Sequence, residues 1–298
     1  MTAERQKSRS RSTEAPQFLV SDEALRLIDM ALGEDIGAGD WTTRWVVPAR
    51  TRGSARIVAK AEGVVAGLAV ASVVFMRLDP RVEIASSLSD GSLVQEGDVV
   101  CTIRGPARTI LTGERTALNF LQRLSGIATM TRRYVDAIAG TDTRILDTRK
   151  TTPGWRTLEK AAVKAGGGEN HRYGLFDMVL IKENHVSIAG GVAEAVKRVR
   201  DANTKGLRVE VEARNKDEVR AALDAGCDIV LLDNMDVQGI REAVRLVKQR
   251  APQVKTEASG NMTLERVRAV AETGVDYISV GALTHSVTAL DLSLLMQS

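Results

Sequence analysis

Between Asp147 and Arg172 the sequence DTRKTTPGWRTLEKAAVKAGGGENHR gathers Arg149, Lys150, Arg156, Lys160, Lys164, His171 and Arg172 around three consecutive glycines. A charge run of this kind is most often a solvated surface. Guanidinium groups, however, stay charged and bind carboxylate or phosphate oxygens in pairs, so a cluster of them suits a small ligand carrying several negative charges. Polar residues also close one apolar run after another: TRILDT at Asp147, DMVLIKEN at Lys182, LRVEVEAR at Glu212, CDIVLLDN at Asp233, VKTEASG at Ser259 and DYISVGA at Gly281. Scattered surface charge has no reason to recur at the same point of successive runs.

Each ending suggests a chemistry and has a plainer reading beside it. Lys182 could attack a carbonyl as a Schiff-base nucleophile if it is desolvated beside other cations, which makes an aldolase the first rival reading. That role leaves Arg115, Arg149, His171 and Arg172 unexplained. Glu212 and Asp233 offer hard oxygen atoms for a magnesium ion or for sugar hydroxyls, or else pair with Lys182 or Lys150 as structural salt bridges. The small residues Ser259, Gly260, Asn261 and Gly281 let backbone N–H groups approach an anion, with a helix start beyond them, although tight turns after strands need glycine too.

These residues need a scaffold that brings strand ends together. Apolar Val/Ile/Leu runs alternate with helical segments such as NKDEVRAALDAG and DVQGIREAVRLVKQ, the rhythm of βα units in a parallel sheet covered by helices. A barrel is the economical closure, and in barrels the active site lies at the carboxyl ends of the strands. Upstream, SDEALRLIDMALGED reads as a capped helix from Ser21 with Leu25, Ile28 and Leu32 on one face, ending near Gly33. IGAGDWTTRWVVP reads as a glycine-rich loop. Alternation through ARIVAKAEGVVAGL and VEIASSLSDGSLVQEGDVVCTIRGP, with turns at DG and EGD, predicts short antiparallel strands, and SDGSLVQEGDVVCTI a hairpin like that of a biotinyl-carrier sandwich. A helix is predicted over Thr112–Ala139, with Leu118, Leu121, Leu124 and Ile127 or Ala128 sharing a face and Arg115 and Arg123 away from it.

Composition excludes several classes. At 298 residues, 44% hydrophobic and 27% charged, the chain is long enough for one α/β barrel or two domains. Only 3% aromatic residues and a net charge of +3 argue against a nucleic-acid coating protein. The longest apolar run, GVVAGLAVASVVFM, is closed by Glu62 and Arg77 and falls short of the roughly 18 residues that a membrane span needs. Cys101 and Cys227 stand far apart in no metal-ligand pattern, which fits a reduced cytoplasmic setting. The opening MTAERQKSRSRSTEAPQ lacks the apolar stretch of a secretory signal and reads as a disordered tail.

The long central motif, followed in order by LIKENH, VEVEARN, LLDNM, EASGN and ISVGALTHS, closely resembles the quinolinate phosphoribosyltransferases, the nicotinate-nucleotide pyrophosphorylases. EDIGAGDWT and GERTALNFLQRLSGIAT resemble the amino-terminal half of that family. The resemblance runs from about residue 18 to the end. Two departures are the serine- and arginine-rich tail and Trp155, where leucine is usual; Trp155 is expected to pack behind the site rather than narrow it.

The resemblance implies an α/β fold: an open seven-stranded α/β barrel, TIM-like, plus an N-terminal α/β sandwich domain. The expected division is a disordered tail over residues 1–17, a sandwich over 18–127 completed by 286–298 as the last helix, and a catalytic barrel over 128–285. The activity implied is phosphoribosyl transfer from phosphoribosyl pyrophosphate to quinolinate with decarboxylation, a step of NAD synthesis. Arg149, His171, Arg172 and Lys182, with Arg115 from the partner of a homodimer, match the family's pocket for the two carboxylates. Lys150, Thr151, Glu212 and Asp233 match positions around phosphoribosyl pyrophosphate, with magnesium held mainly by the pyrophosphate and Glu212 and Asp233 beside it. Ser259, Gly260, Asn261 and Gly281 match the site for the 5-phosphate, near His285. Lys150, Lys182, Glu212 and Asp233 are the residues expected to act on the reacting groups, without an organic cofactor, nucleic acid or membrane. A relative acting on nicotinate would need only one carboxylate clamp, and together with the aldolase it is the alternative.

Overall fold

The computed structural model describes residues 20–297, so the tail expected over residues 1–17 lies outside the described residues. Helix α1 (Asp22–Ile36) starts where expected, because the Ser21 hydroxyl accepts the Ala24 N–H at 3.3 Å, and it buries Ala24, Ile28 and Leu32. It overruns the expected stop at Gly33 by nearly a turn and closes when the Gly37 N–H donates to the Gly33 carbonyl. The glycine-rich loop beyond it contains an unexpected helix, α2 (Trp41–Val46), started by the Asp40 carboxylate, which accepts the Thr43 N–H at 2.9 Å.

The next segment forms β1 (Arg52–Ala59), β2 (Gly63–Val64), α3 (Leu68–Leu78), β3 (Glu83–Ala85), β4 (Leu93–Val94) and β5 (Val99–Pro106). Most of the longest apolar run becomes α3, which buries the stretch from Val70 to Phe75. No helix among the described residues is long and apolar enough to cross a membrane. The expected hairpin is not formed: β4 pairs with β2, whereas β5 lies between β1 and β3, all antiparallel. Helix α4 (Ala107–Ala137) begins before the expected Thr112 and buries Leu118, Leu121, Leu124 and Ile127.

A parallel sheet follows, built from β6 (Arg144–Leu146), β7 (Val179–Ile181), β8 (Val209–Ala213), β9 (Ile229–Asp233), β10 (Lys255–Ser259) and β11 (Tyr277–Ser279). The strand order is β6-β11-β10-β9-β8-β7. The connections carry α5 (Arg156–Ala165), α6 (Glu183–Ala189), α7 (Val192–Ala202), α8 (Lys216–Asp224), α9 (Val237–Arg250) and α10 (Leu264–Ala271), with α11 (Ala282–His285) after β11. Strands such as IVLLD, buried along nearly their whole length, need this cover on their faces. The described residues hold six such strands. Beside β6, Glu169 makes one isolated parallel bridge to Leu146, its N–H donating to the Ile145 carbonyl at 2.8 Å and its carbonyl accepting the Asp147 N–H at 3.1 Å.

The last segment corrects the expectation of a final helix. It is β12 (Leu292–Gln297), which pairs antiparallel with β1 from Ala59 opposite Leu292 to Ser54 opposite Gln297. Leu292 and Leu294 are buried with Ser293 partly exposed between them, so the start of the segment alternates as a strand does, and it completes the antiparallel sheet β12-β1-β5-β3. Helix α4 touches both parts of the molecule, meeting β1, β5, β12 and α3 on one side and α5, β6, α10 and α11 on the other.

Candidate active site

The carboxyl ends of the parallel strands surround an open cavity of about 520 Å³. Arg149, Lys150, Arg172 and Lys182 line it, together with His171, Asp233 and the small turn Ser259–Gly260–Asn261. Thus most of the expected residues converge, although they come from six separate stretches of chain. Thr148, Leu180, Leu231, Asn234, Glu257 and Ser279 complete the wall.

Five expected residues stand outside this lining. Glu212 lies behind Lys182, with Oε2 3.5 Å from Nζ, and faces a neighbouring hollow beside Arg214. The Thr151 hydroxyl turns towards α5 and accepts the Arg156 Nε–H at 3.0 Å. Gly281 and His285 sit at the rim: a Cβ on Gly281 would lie 3.0 Å from both His285 Nε2 and Lys150 Cδ, so glycine lets the three approach. Arg115 is exposed on α4 and does not line the chain's own cavity.

The turn after β10 is tightly specified. Gly260 has φ +93° and Asn261 φ +49°, while Asn234 after β9 has φ +53°. Glycine and asparagine are the residues that adopt this left-handed region most readily. A Cβ on Gly260 would also press on the Asn234 side chain and on its backbone nitrogen at 3.0 Å. The Asn234 N–H donates to the Ser259 carbonyl at 2.9 Å, and Arg266 donates to the Gly260 carbonyl at 3.2 Å. Two adjacent strand ends are therefore held at a fixed spacing.

The charge on the cavity wall is predominantly positive. Burial disfavours the charge on Arg172 and the neighbouring Arg149 adds repulsion, so the Arg172 pKa falls below its ordinary value despite Glu210 and Asp177 nearby. An anion entering this wall relieves that repulsion. Lys182 is half exposed and lies beside Glu212, an environment unlike the desolvated, cation-flanked one that a Schiff-base lysine needs.

His171 differs from expectation in what its ring faces. Nε2 lies 3.1 Å from Glu210 Oε2 and 3.4 Å from Glu257 Oε1, and both carboxylates are buried. Nδ1 accepts the Arg172 N–H at 2.7 Å. Burial works against a charged ring, yet the two carboxylates outweigh it and lift the His171 pKa to about 10. A proton on Nδ1 would have to break the bond from Arg172, so this geometry opposes the doubly protonated ring that the two carboxylates favour. Burial and the repulsion of Glu257 push the Glu210 carboxyl up to about 7, against the pull of His171. Its two oxygens are buried without an aligned hydrogen bond.

Glu210 and Glu257 escaped the reading of strand ends, yet a signal for them exists. Side chains two apart on a strand share a face, so Glu210 accompanies Glu212 and Glu257 accompanies Ser259. Glu257 also accepts the Ser279 hydroxyl. His171, Glu210 and Glu257 are the one group of three potential metal ligands among the described residues, their ligand atoms within 4.8 Å of one another. Glu212 and Asp233 belong to no such group. The carboxylate of Asp233 at the cavity wall, which among the described residues accepts a side-chain bond from its neighbour Asn234 alone, can still join oxygens of a bound substrate in holding a cation.

Trp155 lies outside the cavity and stacks on Phe120 of α4, with ring centroids 4.7 Å apart, which agrees with the packing role expected of it. Both cysteines are free and buried.

Residues 40–125 match the N-terminal domain of quinolinate phosphoribosyl transferase and residues 127–295 its C-terminal domain. A probable nicotinate-nucleotide pyrophosphorylase (carboxylating) from Synechocystis is 48% identical over 94% of this chain and 93% of its own length. Its counterpart from Bacillus subtilis is 44% identical over 90% of this chain and 92% of its own length. The structure of the nicotinate-nucleotide pyrophosphorylase from Francisella tularensis superposes with a TM-score of 0.87 at 41% identity, covering 93% of this chain and 96% of that one. The chain is a member of the quinolinate phosphoribosyl transferase family.

Proposed function

We propose that this chain transfers the phosphoribosyl group of phosphoribosyl pyrophosphate to quinolinate with loss of carbon dioxide, giving nicotinate mononucleotide and pyrophosphate for NAD synthesis. The convergence of Arg149, Lys150, Arg172 and Lys182 on one cavity opposite the Ser259–Asn261 turn, in a chain of this family, carries the reading. The two substrates bring two carboxylates and three phosphorus centres, and burying them without dense counter-charge would be prohibitive.

Arg149, Arg172 and Lys182 take the carboxylates, completed by Arg115 from the partner of a homodimer. His171 supports this wall from beneath, its ring facing Glu210 and Glu257. Lys150 meets the pyrophosphate, and the Ser259–Asn261 turn with Gly281 and His285 receives the 5-phosphate. Charge-assisted bonds of this kind contribute about 1.5 to 3 kcal/mol each. As pyrophosphate leaves, positive charge grows at the anomeric carbon, where Asp233 on the cavity wall stabilises it with Glu212 adding negative charge from behind Lys182, and the pyridine nitrogen attacks. Asp233, with Glu212 nearby, would help pyrophosphate oxygens hold a magnesium ion, which would supply positive charge to offset the negative charge growing on the leaving group. N-ribosylation makes the ring cationic, so it accepts the electron pair released when the adjacent carboxylate departs, and a proton then replaces the carboxylate. No organic cofactor is required for this electron flow.

In this reading the parallel sheet curls into an open barrel whose seventh position is the Glu169 segment. The catalytic unit spans residues 128–285, and residues 18–127 with 286–298 form the second unit. The buried free thiols fit a reducing cytoplasm.

The test supplies purified protein with phosphoribosyl pyrophosphate, magnesium and either quinolinate or nicotinate, and follows carbon dioxide and mononucleotide together. Equal release of both from quinolinate, with nicotinate inert, is the expected result. Mononucleotide from nicotinate alone would keep the phosphate site but overturn the substrate.

A further inference from the structure

Arg123 of α4 ends where three other segments meet. Its Nη2 donates to the Glu159 carboxylate at 2.7 Å, to the Thr152 hydroxyl at 2.8 Å and to the Thr284 carbonyl at 3.2 Å, and its Nε donates to Glu159 at 3.1 Å. Glu159 on α5 is fully buried, and its other oxygen accepts the Thr152 N–H at 3.1 Å. The Thr284 hydroxyl on α11 donates to the Lys150 carbonyl at 2.9 Å. Arg123, Thr152, Glu159 and Thr284 all lie outside the cavity lining, yet the circuit closes on Lys150, which lines it, and on the turn that carries Gly281 and His285.

We propose that Arg123 and Glu159 are positioning residues: their ion pair locks the Lys150 loop against α11, so that Lys150 and the Gly281 turn meet phosphoribosyl pyrophosphate as one rigid wall. The inference rests on the reading of Lys150 as a pyrophosphate ligand. A lysine has a long flexible stem, so the placement of its ammonium depends on how firmly its own backbone is held. The Lys150 backbone is held from α11 through Thr284, and α11 in turn from α4 through Arg123. A guanidinium holds its donors in one rigid plane, whereas an ammonium on a flexible stem does not fix the directions to a carboxylate, a hydroxyl and a carbonyl. Misplacement of a binding group by about 1 Å can cost about a hundredfold in rate.

The experiment measures KM for each substrate separately in the intact protein. Thr152→Val and Thr284→Val remove single hydroxyls and leave the Arg123–Glu159 pair in place, so they preserve the fold. Each should raise KM for phosphoribosyl pyrophosphate about fivefold while KM for quinolinate stays within about twofold. Arg123→Lys, which keeps the charge opposite Glu159 but not the fork, should show the same split more strongly. Melting curves confirm that the variants are folded. Parallel changes in both KM values, or no change in either, would reduce the network to ordinary packing and overturn the proposal. Lys150→Ala separates the two levels: if it leaves both turnover and KM for phosphoribosyl pyrophosphate intact, the reading of Lys150 fails and the proposal falls with it. If Lys150→Ala is impaired while the threonine and Arg123 variants are normal, only the positioning role is lost.

Discussion

Asp147 and Lys160, both buried and paired with each other, grip the main chain of His171 from its two sides. Asp147 Oδ1 accepts the His171 N–H at 2.9 Å, and Lys160 Nζ donates to the His171 carbonyl at 3.0 Å. Burial raises the Asp147 pKa and lowers that of Lys160, each against the pull of its partner, so the pair holds together only while both members are present.

Asp147→Asn should therefore destabilise the protein by about 3 to 5 kcal/mol, since it strands the Lys160 ammonium in the interior. Adding Lys160→Met should recover part of that loss, because the orphaned charge is then gone. Urea unfolding of both single variants and the double variant measures this. A double variant no more stable than Asp147→Asn alone would show that the stranded charge is not the cause.

Arg115 is exposed on α4 and, in the homodimer proposed above, completes the neighbouring site. Arg115→Ala and Lys150→Ala homodimers should each be nearly inactive. Mixed dimers of the two would contain one site with both residues intact, so co-expression should restore about a quarter of wild-type turnover at statistical assembly. Persistent inactivity of the mixture would mean that Arg115 serves its own chain.

Asp276, just before β11, accepts from Lys255 Nζ at 2.7 Å, from the Thr256 N–H at 2.9 Å and from the Thr256 hydroxyl at 2.8 Å. Burial would raise its pKa, but these bonds outweigh burial and hold it below the ordinary carboxylate value. Its contribution to stability is then fully present above the unfolded pKa and is lost as pH falls through the lower folded one. Asp276→Asn should cost about 1 kcal/mol at pH 7, a modest figure because the site is partly solvated. The gap in unfolding free energy between wild type and variant should close in strong acid; a gap independent of pH would contradict the assignment.

Burial pushes the thiols of Cys101 and Cys227 up to about 12. At pH 8 only about one thiol in ten thousand would be ionised, so iodoacetamide should leave both unmodified in the folded protein. Both should alkylate once it is unfolded, as mass spectrometry would show. Alkylation of either at the rate of a free thiol in the native state would show that its segment opens.

The cavity was legible in sequence because strands such as VLI and IVLLD are apolar until they stop abruptly, leaving Lys182 and Asp233 as marked endings. What happens inside the strands was less visible. Glu210 lies within VEVEA, where a buried carboxylate contradicts ordinary expectation, and its link to His171 spans segments far apart in the chain. α2 was hidden because glycines dominate its surroundings, and only the Asp40 cap reveals it. β12 is a strand because β1, more than two hundred residues earlier, offers it an edge, and no local pattern encodes that partner. The partner of Glu169 is likewise set by packing, since a single bridge leaves no periodicity.

The pairing of β12 with β1 also orders events during synthesis. Every strand of the parallel sheet leaves the ribosome before β12 does, so the edge of β1 stays open while that sheet is being made. An unpaired edge with apolar neighbours is a template for association with other nascent chains. A stop codon introduced shortly before Leu292 would therefore spare every residue that lines the cavity and still yield a protein that aggregates.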